Sequence, residues 1–231
     1  MQPELEPRAT YPVAGELARG QQRVLRNTYM LLALTMVPTV IGATIGMATG
    51  GILMQHPFIG FFVMLGAVIG LQFAIAKNRD NGFGVVLLLG MTFLLGWCLG
   101  PLLSVAMSLR NGPQLVGFAA LGTGAIFVVM AGIATTTKRD FSFMGKFLFV
   151  GMIALLIAIV ANMFLQIPAL ALTISTLAIV VFSLFLLHDV SRIVNGGETN
   201  YIMATTGVYL SLFNIFANLL QLLMALTGER D

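Results

Sequence analysis

Few residues of this 231-residue chain could do chemistry, and several of them stand together. The stretch FLLHDVSRIVNGGETNYIM, residues 185–203, holds His188, Asp189, Arg192 and Glu198. No Asp, Glu, Lys or Arg occurs from Phe147 to His188, and none from Thr199 to Gly228. Asp189 can hold or release a proton, and His188 beside it changes charge near neutral pH. Asp189 and Arg192 are spaced i and i+3, so on a continuing helix they can pair. Two readings compete: an exposed ion pair that caps a helix at the membrane edge, or an inward-tipped Asp189 that gates a polar path. Consecutive helix residues point about 100° apart, so His188 and Asp189 do not easily face one site.

A second polar series lies downstream. Gly207, Ser211, Asn214, Asn218 and Gln221 recur every three or four residues, which confines them to an arc of about 80° on one helix face. Such side chains do not face hydrocarbon comfortably, so the stripe is expected to face the interior of a helix bundle. It serves either as packing glue or as the lining of a water-filled cavity or ion path. Asp189, Arg192, Ser211, Asn214 and Asn218 form the candidate polar and sensing cluster. Asn162 and Gln166, and then Thr173, Thr176 and Ser183, add polar positions on neighbouring spans.

Other chemistry finds no support. The chain lacks Gly-x-Ser-x-Gly, His-Glu-x-x-His and Gly-x-x-x-x-Gly-Lys. His56 and His188 fall on opposite sides of the membrane in the topology below, so no metal or triad is expected to join them. Cys98 is the only cysteine, which excludes an intrachain disulfide. No enzyme, cofactor or metal role is expected. The basic residues are scattered, which gives no reason to expect nucleic acid as a partner.

The elements that position these residues follow from composition. The chain is 58% hydrophobic and 9% charged, with mean hydropathy +0.96. A soluble domain carries about 25% charged residues, so the solvent around this one is expected to be a lipid bilayer. Stretches of about 20 apolar residues are long enough to span. Seven are expected, at roughly 29–53, 57–76, 83–105, 115–136, 144–165, 168–188 and 202–226. The breaks are turn or charge punctuation, such as Asn195-Gly196-Gly197. The fold class is an all-α, seven-helix transmembrane bundle.

Positive loops stay in the cytoplasm. With the N-terminus inside, Arg8, Arg19, Arg23, Arg26, Lys77, Arg79, Lys138, Arg139, Lys146 and Arg192 fall on the cytoplasmic side, and only Arg110 and Arg230 outside. The C-terminus is then periplasmic. Residues 1–27, with Pro3, Pro7, Pro12, Gly15 and Gly20, read as a flexible cytoplasmic tail, and 28–231 as the transmembrane domain. Gly42, Gly46 and Gly50 share one face of the first span; Gly66 with Gly70, and Gly96 with Gly100, repeat the spacing. Close helix packing inside the chain is expected there, with a homo-oligomer as the other use of such a face.

These pieces carry a resemblance. VLRNTY (24–29), LGPLL (99–103), TTTKRDFSFMG (135–145), VANMFLQIPALALTIS (160–175), GGETNYI (196–202) and VYLSLFNIF (208–216) resemble the bacterial branch of the Bax inhibitor-1 family. The resemblance implies a seven-helix bundle of the Bax inhibitor-1 type in the bacterial inner membrane. It also implies a partner, the membrane-anchored ATP-dependent zinc protease FtsH. Such proteins restrain degradation of other membrane proteins and are slow substrates, engaged through the N-terminal tail. Gln2, Glu4, Arg8, Tyr11 and Glu16 are then the candidate handle residues. The wider family implies the alternative, a pH-sensitive calcium leak channel gated by an aspartate on span six and another on span seven. Asp189 matches the first; the second position is Ser211, which leaves that switch incomplete.

Overall fold

The structure, a computed structural model, describes residues 14–50, 55–137 and 139–227. They form seven long helices: α1 (Ala14–Thr49), α2 (Pro57–Lys77), α3 (Gly82–Met107), α4 (Gly112–Thr137), α5 (Gly145–Leu165), α6 (Pro168–Val194) and α7 (Tyr201–Thr227). A 3-10 turn, Ser142–Met144, leads into α5. Seven spans among the described residues are long and apolar enough to cross a membrane, as the composition requires. In hydrocarbon a helix is the open-chain solution that satisfies every backbone polar group internally.

Local chemistry starts and stops these helices. Pro57 and Pro168 stand at the first helical positions of α2 and α6, where a missing N–H costs nothing. The Asn81 side chain accepts from the N–H groups of Phe83 and Gly84 and caps α3. Asn200 does the same for α7 through Ile202 and Met203. Gly196, at φ +76°, supplies the left-handed residue that turns α6 back into α7.

Two boundaries differ from the sequence expectation. α6 was expected to end at His188 and runs on to Val194. Charge does not break a helix, and no glycine or proline intervenes until Gly196. α1 begins at Ala14, inside the segment expected to be a flexible tail. Glu16, Arg19, Gln21, Gln22 and Arg23 are good helix formers. Val24, Leu25 and the buried Thr28 also give this part of α1 a face to lay on the bundle. Of the expected handle residues, Gln2, Glu4, Arg8 and Tyr11 lie outside the described residues, and Glu16 lies in the first turn of α1.

α7 is the central helix and touches α1, α2, α3, α4 and α6. Its Val208, Tyr209 and Ile215 join Leu31, Leu88, Met91, Leu186 and Val190 in the main core. The closest pairing is α1 with α3. A β-carbon at Gly42 would strike the Phe93 carbonyl, and one at Gly46 the Trp97 carbonyl. Gly96 in turn faces the Thr39 carbonyl, and Gly100 the backbone of Gly46. These glycines let two backbones touch within one chain. Gly66 and Gly70 do not follow suit, because nothing lies within 4 Å of either position. Trp97 Nε1 donates to Thr49 Oγ1 at 2.8 Å and fastens the far end of the pair.

Candidate functional site

The end of α6 and the loops around it form the candidate site. His188 is 9% exposed, and its Nδ1 lies 3.1 Å from Asp189 Oδ1. The sequence reading held that these neighbours do not easily face one site. The two side chains touch each other, but His188 faces α5 while Asp189 faces α7. Two glycines make the room. A β-carbon on Gly145 of α5 would stand 3.0 Å from His188 Nε2, and one on Gly207 of α7 2.7 Å from Asp189 Oδ2. Asp189 therefore does turn toward α7 and the first residue of its polar stripe.

The expected Asp189–Arg192 pair is not what the structure shows. The Arg192 guanidinium reaches Glu198 Oε2 at 3.5 Å and donates to the Gly197 carbonyl at 3.1 Å. Glu198 Oε1 accepts from the Asn200 N–H at 3.0 Å. Arg192 thus closes the α6–α7 turn, because Gly196 folds Glu198 back beneath it, while Asp189 points into the bundle.

Three loops are tied at this end. Ser191, fully buried, donates to the Arg139 carbonyl at 3.1 Å and accepts from Phe141 N–H at 3.2 Å. Asn195 Nδ2 also donates to the Arg139 carbonyl at 3.1 Å. Asn200 Nδ2 donates to the Arg79 carbonyl at 2.8 Å and to Asp80 Oδ1 at 3.0 Å. Arg79, Asp80, Asn81, Thr199, Asn200 and Tyr201 line a polar cleft of about 350 Å³ there. On the α4–α5 loop, hydrogen bonds from Ser142 hold the Asp140 carboxyl below its ordinary pKa. Ser191, Asn200 and Gly145 were not singled out from the sequence, and Asn195 was read only as part of a turn. Their partners lie about 40 to 120 positions away, where no local pattern points.

The α7 stripe is extended rather than gathered. Ser211, 3% exposed, lies one turn beyond Gly207. Asn214 Nδ2 donates to the Leu210 carbonyl and Asn218 Nδ2 to the Asn214 carbonyl, each at 2.8 Å. Both are half-buried, and Gln221, expected inside, is exposed. At 1.5 Å per residue, Asn214 and Asn218 stand about 10 and 16 Å from Gly207. The sequence-derived cluster therefore separates: Asp189 abuts the head of the stripe, Ser211 follows it, and Arg192 belongs to the turn. On the opposite face of α7, the Tyr209 hydroxyl lies 2.7 Å from Thr39 Oγ1 and 3.4 Å from the Thr92 carbonyl.

This arrangement sets a hydrogen-bonded His–Asp pair between α5, α6 and α7. The fold and the site together define a class: a helical membrane protein whose ionisable groups gather at one end of a bundle built around a polar-striped central helix. Residues 21–228 match the family described as inhibitor of apoptosis-promoting Bax1, the Bax inhibitor-1 family, and the chain belongs to it. It is 40% identical over 214 residues to a protein of Neisseria meningitidis serogroup A, covering 91% of this chain and 94% of that one. It is also 40% identical over 201 residues to the Escherichia coli K12 protein named modulator of FtsH protease YccA, covering 87% and 89%. A counterpart from a second E. coli strain, named inner membrane protein YccA, matches to the same extent. With its seven spans, the chain is a multi-pass inner-membrane protein. The family and the E. coli relative are named for inhibition and modulation, not for a catalysed reaction.

Proposed function

We propose that this protein is a non-enzymatic regulator that binds the FtsH protease and restrains its degradation of other membrane proteins. The observation that carries this reading is the 40% identity, over 87% of the chain, to a protein named a modulator of that protease. In this reading the N-terminus is cytoplasmic and is the end the protease grips. A pull there passes straight into α1, one continuous helix from Ala14 to Thr49. α1 is locked to α3 through Gly42, Gly46, Gly96 and Gly100. Extraction must first break that backbone-to-backbone packing, which supports slow turnover and a protease kept occupied. Ser211 in the place of a second carboxylate leaves Asp189 with His188 as its neighbour and argues against a two-aspartate calcium switch.

The test is the decay of an FtsH membrane client in cells producing either the full chain or a form lacking residues 2–13, which spares all of α1. Slower client decay with both forms, and a longer lifetime for the shortened one, is the expected result. Unchanged client decay with both forms, at equal expression, rejects the modulator reading.

A further inference from the structure

The outward face of α1 changes character along its length. Met30, Leu34, Val37 and Ile41 are 67%, 49%, 56% and 49% exposed, and at spacings of 4, 3 and 4 they share one side of the helix. In a chain that spans a bilayer, this exposed apolar side is the one open to acyl chains. Continued toward the N-terminus, the same side carries Arg26, Arg23 and Arg19, spaced by 3 and 4 and all exposed. The seven positions fall within an arc of about 80°. The opposite side packs on the bundle, with Thr28 buried and Gln21 against the turn at Gly196. Among the side chains described from Arg19 onward, ion pairs join Arg79 with Asp80, His188 with Asp189 and Arg192 with Glu198, and none of these includes the three arginines of α1.

Depth fits the headgroup layer. With the hydrocarbon beginning at Met30, Arg26 lies about 6 Å and Arg23 about 10 Å below it, by the rise of 1.5 Å per residue. The polar layer on each side of a bilayer is about 5–8 Å thick, and an arginine side chain reaches across the remainder. Guanidinium matches phosphate geometry with paired N–H donors.

We propose that this face of α1 is a binding track for an anionic phospholipid, with its acyl chains along Met30–Ile41 and its phosphate held by Arg26 and Arg23, with Arg19 at the outer edge. The proposal goes beyond the protease reading and needs neither the protease nor an orientation. Continuity with the lipid-contacting stripe favours a lipid over an acidic protein surface, because the same occupant satisfies both halves of the face.

The test uses the full chain in phosphatidylcholine vesicles with spin-labelled phosphatidylglycerol or spin-labelled phosphatidylcholine. The motionally restricted fraction is read from the spectrum of each label. A preference for the anionic lipid of about fivefold is expected at low salt, the scale of one basic side chain near the surface. R23Q/R26Q should bring it close to unity, while R23K/R26K retains most of it. An equal preference in wild type and R23Q/R26Q overturns the proposal. So does a wild type with no preference; if the Gln variant then also loses co-isolation with the protease, the arginine ridge is a protein-docking face instead.

Discussion

At the α6–α7 junction, Asp189 Oδ1 meets His188 Nδ1 while Oδ2 lies over Gly207. Its carboxylate is placed by space as much as by charge. Gly207→Ala would put a β-carbon 2.7 Å from Oδ2, closer than side chains pack. Overpacking of this kind costs about 1–3 kcal/mol. G207A is therefore expected to lower the unfolding midpoint in detergent, and G207A/D189A to be more stable than the sum of the two single changes. A double-mutant cycle measures this coupling. Strict additivity would mean that the carboxylate is not what fills the space above Gly207. Ser211 contributes no charge to the arrangement, so the pair at this end is histidine with aspartate.

Between elements, the same Gly-x-x-x-Gly spacing has two fates. On α1 and α3 it brings backbone against backbone; on α2 it faces open space. Gly46→Ala must drive α1 away from the Trp97 carbonyl, which has no rotamer to escape into. The expected loss is about 1–3 kcal/mol or more. Gly66→Ala meets nothing within 4 Å and is expected to stay within about 0.5 kcal/mol of wild type, the range of surface changes. Thermal or denaturant unfolding in one detergent compares the two. Equal effects would mean that the α1–α3 contact is not what makes these glycines matter. The Trp97–Thr49 bond lies just beyond Gly46 and should loosen with it.

Across the whole molecule, Arg19, Arg23, Arg26, Lys77, Arg79, Arg139, Lys146 and Arg192 lie at or near the end where the α2–α3, α4–α5 and α6–α7 loops meet. Arg110 lies at the other end, beside Asn111, whose Nδ2 donates to the Thr227 carbonyl. Such asymmetry predicts that the first end is cytoplasmic. With Cys98 replaced by Ala, D140C should react with an impermeant maleimide only after the inner side is opened, and R110C from the outside. Both sites are exposed. Labelling in the reverse order would place the N-terminus outside and remove the protease's access to it.

What the sequence by itself determined is the number and kind of elements. Apolar runs of about 20 residues are met in lipid by helices that close every backbone hydrogen bond internally, and Pro57 and Pro168 show where two of them start and Gly196 where one has ended. Helical periodicity showed that the α7 stripe shares one face, but it left two readings of Asp189 open, and only the packing against Gly207 places its carboxylate at the head of that stripe. Tertiary structure alone decided the partners. Arg192 turned to Glu198 rather than Asp189 because Gly196 folds the chain back beneath it. Ser191 and Asn195 reached Arg139, some fifty residues away, and Gly145 and Gly207 opened the space for His188 and Asp189. The limits of α1 and α6 were likewise settled by packing, since propensity permits a helix and a face to lie on makes it persist. Periodicity states which side of a helix a residue occupies; which neighbour waits there depends on how seven helices share one core.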